Sequence, residues 1–363
     1  LEEMITVDFV LYLEMHQPLV LRREPPAKVE SWWDLTDVEA SKAAFERALG
    51  SCYLPLLRTF EELAPSGLKV GLRVSGVLLE SAELWGKSLL ESLASLVSIE
   101  AVELVVGPYF NLPPLIFPAD ELVEQVKLHR AKLKELFGVE AEVFAAPYLA
   151  YSDEIGRLVK DELNLRAVLA EGAMHVLAWR TPHFVYKHPS RDLSILVRDQ
   201  EISNQVAFGL GKWLTAAYIA ERASRIEGTT LVVAVPAETF GLSVPASAGA
   251  FEFLRWLPKE FAKHPWIRFA TPSDAAGKEY VDVLNVPQPV TWLESKDLRP
   301  LTESAAQQML LALLTELKGR VRRELLGAWR FLAQADLLLA SRSMDAALRL
   351  AKALCALRAS AGD

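Results

Sequence analysis

Polar clusters stand immediately after the β-rich runs of this chain, where carboxyl, imidazole and amide groups could do chemistry. The first is Glu14-Met-His-Gln-Pro18. Gly107-Pro-Tyr-Phe-Asn111, Pro147-Tyr-Leu-Ala-Tyr151, Glu171-Gly-Ala-Met-His175, Asp199-Gln-Glu-Ile-Ser-Asn204 and Pro236-Ala-Glu-Thr-Phe-Gly241 follow in order. Glu171 and Glu238 are the best candidates for a functional carboxylate, because a carboxylate in such a place must be met by hydrogen bonds or a cation. Turn capping beside Gly172 or Thr239 explains them equally well. Glu14 and Glu80 read first as partners of a buried arginine such as Arg73. His16 either faces a ligand or packs behind the first strand. Trp32, Trp33, Tyr109, Phe110, Tyr148 and Tyr151 offer ring faces for stacking, or fill the core. His175, His183 and His188 fall close together, but their spacings of eight and five match no ligand pattern, so no metal is expected.

The elements that must position these groups alternate. Val7–Leu13, Lys69–Val74, Val102–Val106, Val143–Ala146, Ala167–Leu169, Ser194–Val197, Thr230–Val235 and Arg268–Ala270 read as strands. Several are unbroken apolar runs, as parallel strands buried on both faces require. Helical stretches such as Lys42–Leu63, Ala119–Phe137 and Ser152–Leu163 lie between them. This alternation predicts a parallel α/β barrel, whose functional groups gather at the C-terminal ends of the strands. Near Asn285-Val-Pro-Gln-Pro-Val-Thr291 the composition changes. Ser304–Lys318, Arg323–Ser341 and Asp345–Leu357 are Ala/Leu-rich with helical period, and Met309, Leu313, Leu314 and Leu317 form one stripe. The expected division is a barrel over 1–285 and a helical bundle over 286–363.

Composition excludes several classes. With 363 residues, 51% of them hydrophobic and 24% charged, the chain can bury a large core. A net charge of -8 argues against binding a nucleic-acid backbone. Two cysteines cannot build a disulfide framework, and only four Asn hint at a thermophilic source. The opening apolar run is too short for a membrane span and lacks the basic flank of a signal peptide, so the expected location is the cytoplasm. Leu1–Glu3 read as a remnant ahead of a native start at Met4.

At these positions the chain resembles glycoside hydrolase family 57, and within it the archaeal α-amylase-like branch. The likeness rests on His16-Gln-Pro18, Ser51-Cys-Tyr-Leu-Pro55, Ser75-Gly-Val-Leu-Leu-Glu80, Glu124-Gln-Val-Lys-Leu-His-Arg130, Leu169-Ala-Glu-Gly-Ala173, Ile202-Ser-Asn-Gln-Val-Ala-Phe208 and Glu238-Thr-Phe-Gly241, in family order. The resemblance implies an irregular (β/α)7 barrel with a C-terminal α-helical domain, and retaining chemistry on α-glucosidic bonds without a cofactor. Retention needs two carboxyl groups roughly 5 Å apart, a nucleophile and an acid/base. Tyr148 stands at the family's nucleophile position and Asn204 at its acid/base position, so both carboxylates are replaced. An amide cannot carry a catalytic proton near neutral pH. The resemblance also implies polar groups where this chain has Gly107, Asn111, Met174, Gly209, Pro236 and Leu242-Ser243. The expectation is a catalytically inactive relative that keeps a carbohydrate-binding or regulatory role, with α-glucan or maltooligosaccharide as ligand. His16, Glu80, Tyr109, Asn111, Glu171, Glu238, Trp32 and Trp33 are its binding candidates. Two alternatives stay open: an active enzyme with relocated groups, and a structural partner of an active homologue. A protein partner and self-association are undecided by the sequence.

Overall fold

A computed structural model describes residues 6–362, so the reading of Met4 as the native start lies outside the described residues. Among the described residues ten strands form one sheet: β1 (Val7–Met15), β2 (Val70–Val74), β3 (Val102–Leu104), β4 (Val143–Phe144), β5 (Ala167–Glu171), β6 (Val185–Lys187), β7 (Ser194–Arg198), β8 (Thr230–Pro236), β9 (Ile267–Phe269) and β10 (Asp282–Val283). Seven of them close a parallel barrel. The ring runs β8-β1-β2-β3, crosses to β4 by a Val106–Phe144 bridge, and returns through β5 and β7 to β8. The irregularity is local: β7 and β8 meet only at Arg198 and Val232, β9 is parallel to the start of β1, and β6 runs antiparallel to β7. The expected (β/α)7 architecture is therefore observed. β6 and β10 were not expected; they are three and two residues long, and Pro182 and Pro189 bracket β6.

Alternation along the strands fills the barrel. Val10 and Tyr12 of β1 share an interior cluster with Leu169, Leu196, Val232 and Ala234. One step further along the same faces stand Glu14, Glu171 and Arg198. Glu14 is in register with Arg73, and Glu171 with Arg198. The interior thus ends in a layer of two buried ion pairs beneath the mouth.

The expected helix Lys42–Leu63 is two helices, Val38–Ala48 and Leu54–Leu63, separated by a π-helical turn at Leu49–Tyr53. Pro55 has no N–H to give a regular helix, and the wider turn accommodates it. The turn presses on the loop after β8: a side chain on Gly241, at φ +104°, would meet the Ser51 carbonyl.

After Val283 no further named strand occurs among the described residues, and helices predominate. The long helix expected over Arg323–Ser341 is broken: Leu326–Leu332 ends, and Ala335–Ala340 begins after Gln334. The predicted stripe is corrected too. Gln307, Leu310, Leu314 and Leu317 face inward, whereas Met309 is exposed. Glu121, buried on the helix Ala119–Phe137, fastens these C-terminal helices to the barrel. Lys318 Nζ and Arg330 Nε donate to it at 2.8 and 2.6 Å. Glu121→Ala would strand Arg330 and leave Lys318 only Asp120 at 3.9 Å, so a loss of about 2–4 kcal/mol is expected in urea unfolding.

Candidate functional site

The mouth is organised by Arg73 and Asp336. Arg73 is fully buried, and its Nη2 donates to Glu14 Oε1 and to Asn111 Oδ1, both at 2.6 Å. Asn111 Nδ2 in turn donates to Asp336 Oδ2 at 2.6 Å, and the Tyr148 hydroxyl donates to Asp336 Oδ1 at 3.3 Å. His16 Nε2 lies 2.9 Å from Asp336 Oδ2, and its Nδ1 lies 2.7 Å from Ser75 Oγ. Three residues from three strand ends therefore converge on one carboxylate from the C-terminal helices.

The helix break explains how that carboxylate arrives. Ala335 N–H donates to the Asn111 carbonyl at 3.0 Å, so the chain leaves its helix to bond the barrel and restarts with Asp336 in the first turn. Asn111 and Tyr148, which meet it, both hold left-handed backbone (φ +56° and +58°). That conformation is uncommon for tyrosine and marks a position fixed by its surroundings. Trp292 N–H donates to the Tyr148 carbonyl at 2.9 Å and helps to hold it.

The Glu124–Arg130 motif supports the loop carrying Asn111. His129 is buried, with Nε2 2.7 Å from the Val74 carbonyl, and Gly107 N–H donates to its Nδ1 at 3.1 Å. Burial and the Arg73 charge lower its pKa to about 4, so it stays neutral. A side chain at Gly107 would meet the Ala145 carbonyl and Arg73 Cδ, so no carboxylate fits there.

The two positions at which the sequence resemblance places a catalytic pair are both held by hydrogen bonds. Burial raises the Tyr148 hydroxyl well above its ordinary pKa, and Asp336 raises it further. Asn204 lies on the helix Gln200–Gly209, which Asp199 caps. Its Oδ1 accepts from Arg198 Nη2 at 2.9 Å. Tyr148 and Asn204 follow β4 and β7, which β5 separates in the ring; no hydrogen bond joins them among the described residues.

Two carboxyl groups flank His16 and are pushed apart in pKa. Burial raises Glu238 to about 7, although its Oε1 accepts from the Tyr53 hydroxyl (2.6 Å) and His16 N–H (3.3 Å). Burial also acts on Asp336, but His16, Asn111 and the helix start outweigh it and bring it down to about 2. A carboxyl whose folded pKa exceeds its unfolded value stabilises the fold most below the unfolded value. That contribution is lost as pH rises from about 4.5 through 7. Wild type should therefore lose on the order of 3 kcal/mol relative to Glu238→Gln across this window, measured as unfolding free energy against pH.

The other candidates separate. Glu171 is buried, paired with Arg198 at 2.9 Å, and raised by that burial. Glu14 does pair with Arg73, but Glu80 instead accepts from the Tyr109 hydroxyl. Tyr109 is buried, and its ring covers Gly76. Tyr151 is fully buried. Trp32 and Trp33 are half-buried. Their rings pack on each other at 4.4 Å, and Trp32 lies between Phe110 and Phe331, joining the mouth to the C-terminal helices. The three histidines go to different places: His175 is exposed, His183 meets Asp199, and His188 meets the Asp153 carbonyl. Among the described residues no three His, Cys, Asp or Glu are grouped to hold a metal ion. Sequence reasoning missed Asp336. Its signal was slight: Gln334 and Asp336 interrupt an otherwise apolar helical run.

The sequence model described as glycosyl hydrolase family 57 matches residues 10–287. A Methanocaldococcus jannaschii protein described as "Putative alpha-amylase" is 31% identical over 302 residues, covering 81% of this chain and 60% of that protein. The chain thus spans about three fifths of that relative's length. Among solved structures, a family 57 branching enzyme of Thermococcus kodakaraensis aligns with TM-score 0.71 at 13% identity, over 97% of this chain and 89% of that one. A 4-alpha-glucanotransferase of Thermococcus litoralis aligns with TM-score 0.63 at 17% identity, over 90% and 46%. At these identities the structures establish a shared fold.

Proposed function

The chain belongs to glycosyl hydrolase family 57, and from that premise we propose a member of the α-amylase-like branch that binds α-glucan without cleaving it. The observation that carries this reading is the state of the two matched catalytic positions. Tyr148 is a half-buried phenol engaged with Asp336, and Asn204 is an amide engaged with Arg198. Neither group can exchange a proton near neutral pH, and no carboxylate replaces them at those positions. The same proposal divides the chain at 285/286 and places the protein in the cytoplasm of a thermophile. Its scarcity of Asn and Cys supports the latter, and no helix among the described residues is long and apolar enough to cross a membrane. Isothermal calorimetry with maltoheptaose tests the binding role. Saturable binding is expected, whereas no heat of binding at millimolar sugar would reduce the chain to a structural partner.

A second reading has one observation in its favour. Glu238 and Asp336 both border His16, one protonatable near pH 7 and the other ionised. Carboxyl groups pushed apart in this way are the usual mark of an acid and its partner. If the protein hydrolyses α-glucans, Glu238→Gln and Asp336→Asn should each abolish turnover.

A further inference from the structure

A cleft of about 760 Å³ opens beside the mouth, between the loop after β5 and the helix Gln200–Gly209. Exposed apolar side chains line it: Met174 (82%), Phe208 (69%) and Trp213 (55%). Trp213 occupies space that Gly209 leaves, since a β-carbon there would come within 2.8 Å of the indole ring. Tyr218 braces the indole edge-on at 5.5 Å. The charged residues of the cleft already have partners within the protein. Arg180 pairs with Asp282 at 2.7 Å, Arg222 with Glu201 at 3.0 Å, and His183 with Asp199 at 2.8 Å. An ionic ligand would therefore find no unmatched countercharge.

What the cleft does offer is amide chemistry. Gln205 Oε1 is buried without a hydrogen-bond partner among the described residues. Asn204 has given its carbonyl oxygen to Arg198, which leaves the amide NH2 as its remaining donor. A vacant acceptor and a donor on neighbouring residues suit hydroxyl groups, which both give and accept. The adjacent aromatic faces suit a ring with one apolar side. A purely apolar occupant would leave Gln205 unpaired at a cost. The chemistry shared by these features is that of a neutral saccharide.

We propose that an α-glucan chain binds along this lateral cleft, with one sugar on Trp213, a neighbour against Phe208, and hydroxyls read by Asn204 and Gln205. The floor of the mouth at Tyr148 and Asp336 is not the binding surface. This rests on the reading of the protein as a glucan binder and adds where the chain lies.

Calorimetry with maltoheptaose on Trp213→Ala, Phe208→Ala, Trp213→Phe and Asp336→Asn tests it. Both aromatic side chains are exposed, so their variants should melt with wild type. The expected result is at least tenfold weaker binding for each alanine variant, largely restored affinity in Trp213→Phe, and Asp336→Asn within threefold of wild type. Unchanged affinity in both alanine variants with binding lost in Asp336→Asn would overturn the lateral site while leaving the protein a glucan binder. No binding by wild type would overturn both.

Discussion

Asp336→Ala should be the most damaging single substitution at the mouth. It removes the common partner of His16, Asn111 and Tyr148 and leaves three polar groups facing one another across a largely buried gap. Each orphaned buried group costs about 1–3 kcal/mol, and groups sharing one partner do not add fully, so a net loss of about 3–5 kcal/mol is expected. The unfolding midpoint should fall by roughly 4–7 °C. Asp336→Asn should lose less, because an amide oxygen can still accept from His16 or Tyr148. Its deficit should also depend on pH. The folded pKa of Asp336 is depressed, so the wild-type advantage is complete above about pH 4 and disappears as pH falls through about 2. Thermal unfolding of the three proteins between pH 2 and 7 checks both statements.

Placing carboxylates at both positions, as Tyr148→Glu with Asn204→Asp, should not confer activity. A glutamate at 148 would lie in a half-buried position beside the Asp336 and Glu14 charges that already act on Tyr148. Burial and like charge both raise a carboxyl pKa, so this group would be protonated when a nucleophile must be ionised. An aspartate at 204 would meet the Arg198 guanidinium, which now holds the asparagine oxygen at 2.9 Å. An opposite charge lowers a carboxyl pKa, so this group would be ionised when an acid must carry a proton. Both repaired groups would stand in the wrong protonation state. The double variant should be destabilised by about 2–3 kcal/mol and show no turnover of maltooligosaccharides above background. A rate on the order of 1–1,000 per second would show that only two residues separate this chain from a working enzyme.

Much of the barrel is legible in the sequence because its strands are short apolar runs with polar residues just beyond. The seven ring strands fall where those runs are, and Glu14, Arg73, Glu171 and Arg198 end them as interior charges. The π turn at Leu49–Tyr53 was not legible, although Pro55 gave a reason to doubt a continuous helix. The motifs His16-Gln-Pro18, Ser51–Pro55 and Glu238–Gly241 lie far apart in sequence, yet Tyr53, Glu238 and His16 meet at one point. Spacing alone could not reveal that contact. Asp336 was hidden for a different reason. One carboxylate in an Ala/Leu-rich helix looks solvated, and only the break at Ala333–Gln334, set by bonding to Asn111, turns it inward. The contacts of Trp32 with Phe110 and Phe331 were likewise illegible, because those rings are distant in sequence.

We propose above that the mouth of this family 57 barrel does not cleave glycosidic bonds. Turnover of a chromogenic maltoheptaoside by the wild-type protein, followed from 25 °C to just below its unfolding midpoint at pH 5–7, tests it most directly. Release no faster than the protein-free reaction is expected at every temperature. Saturable release that is lost in Glu238→Gln and in Asp336→Asn, both folded, would contradict it and establish a relocated catalytic pair around His16.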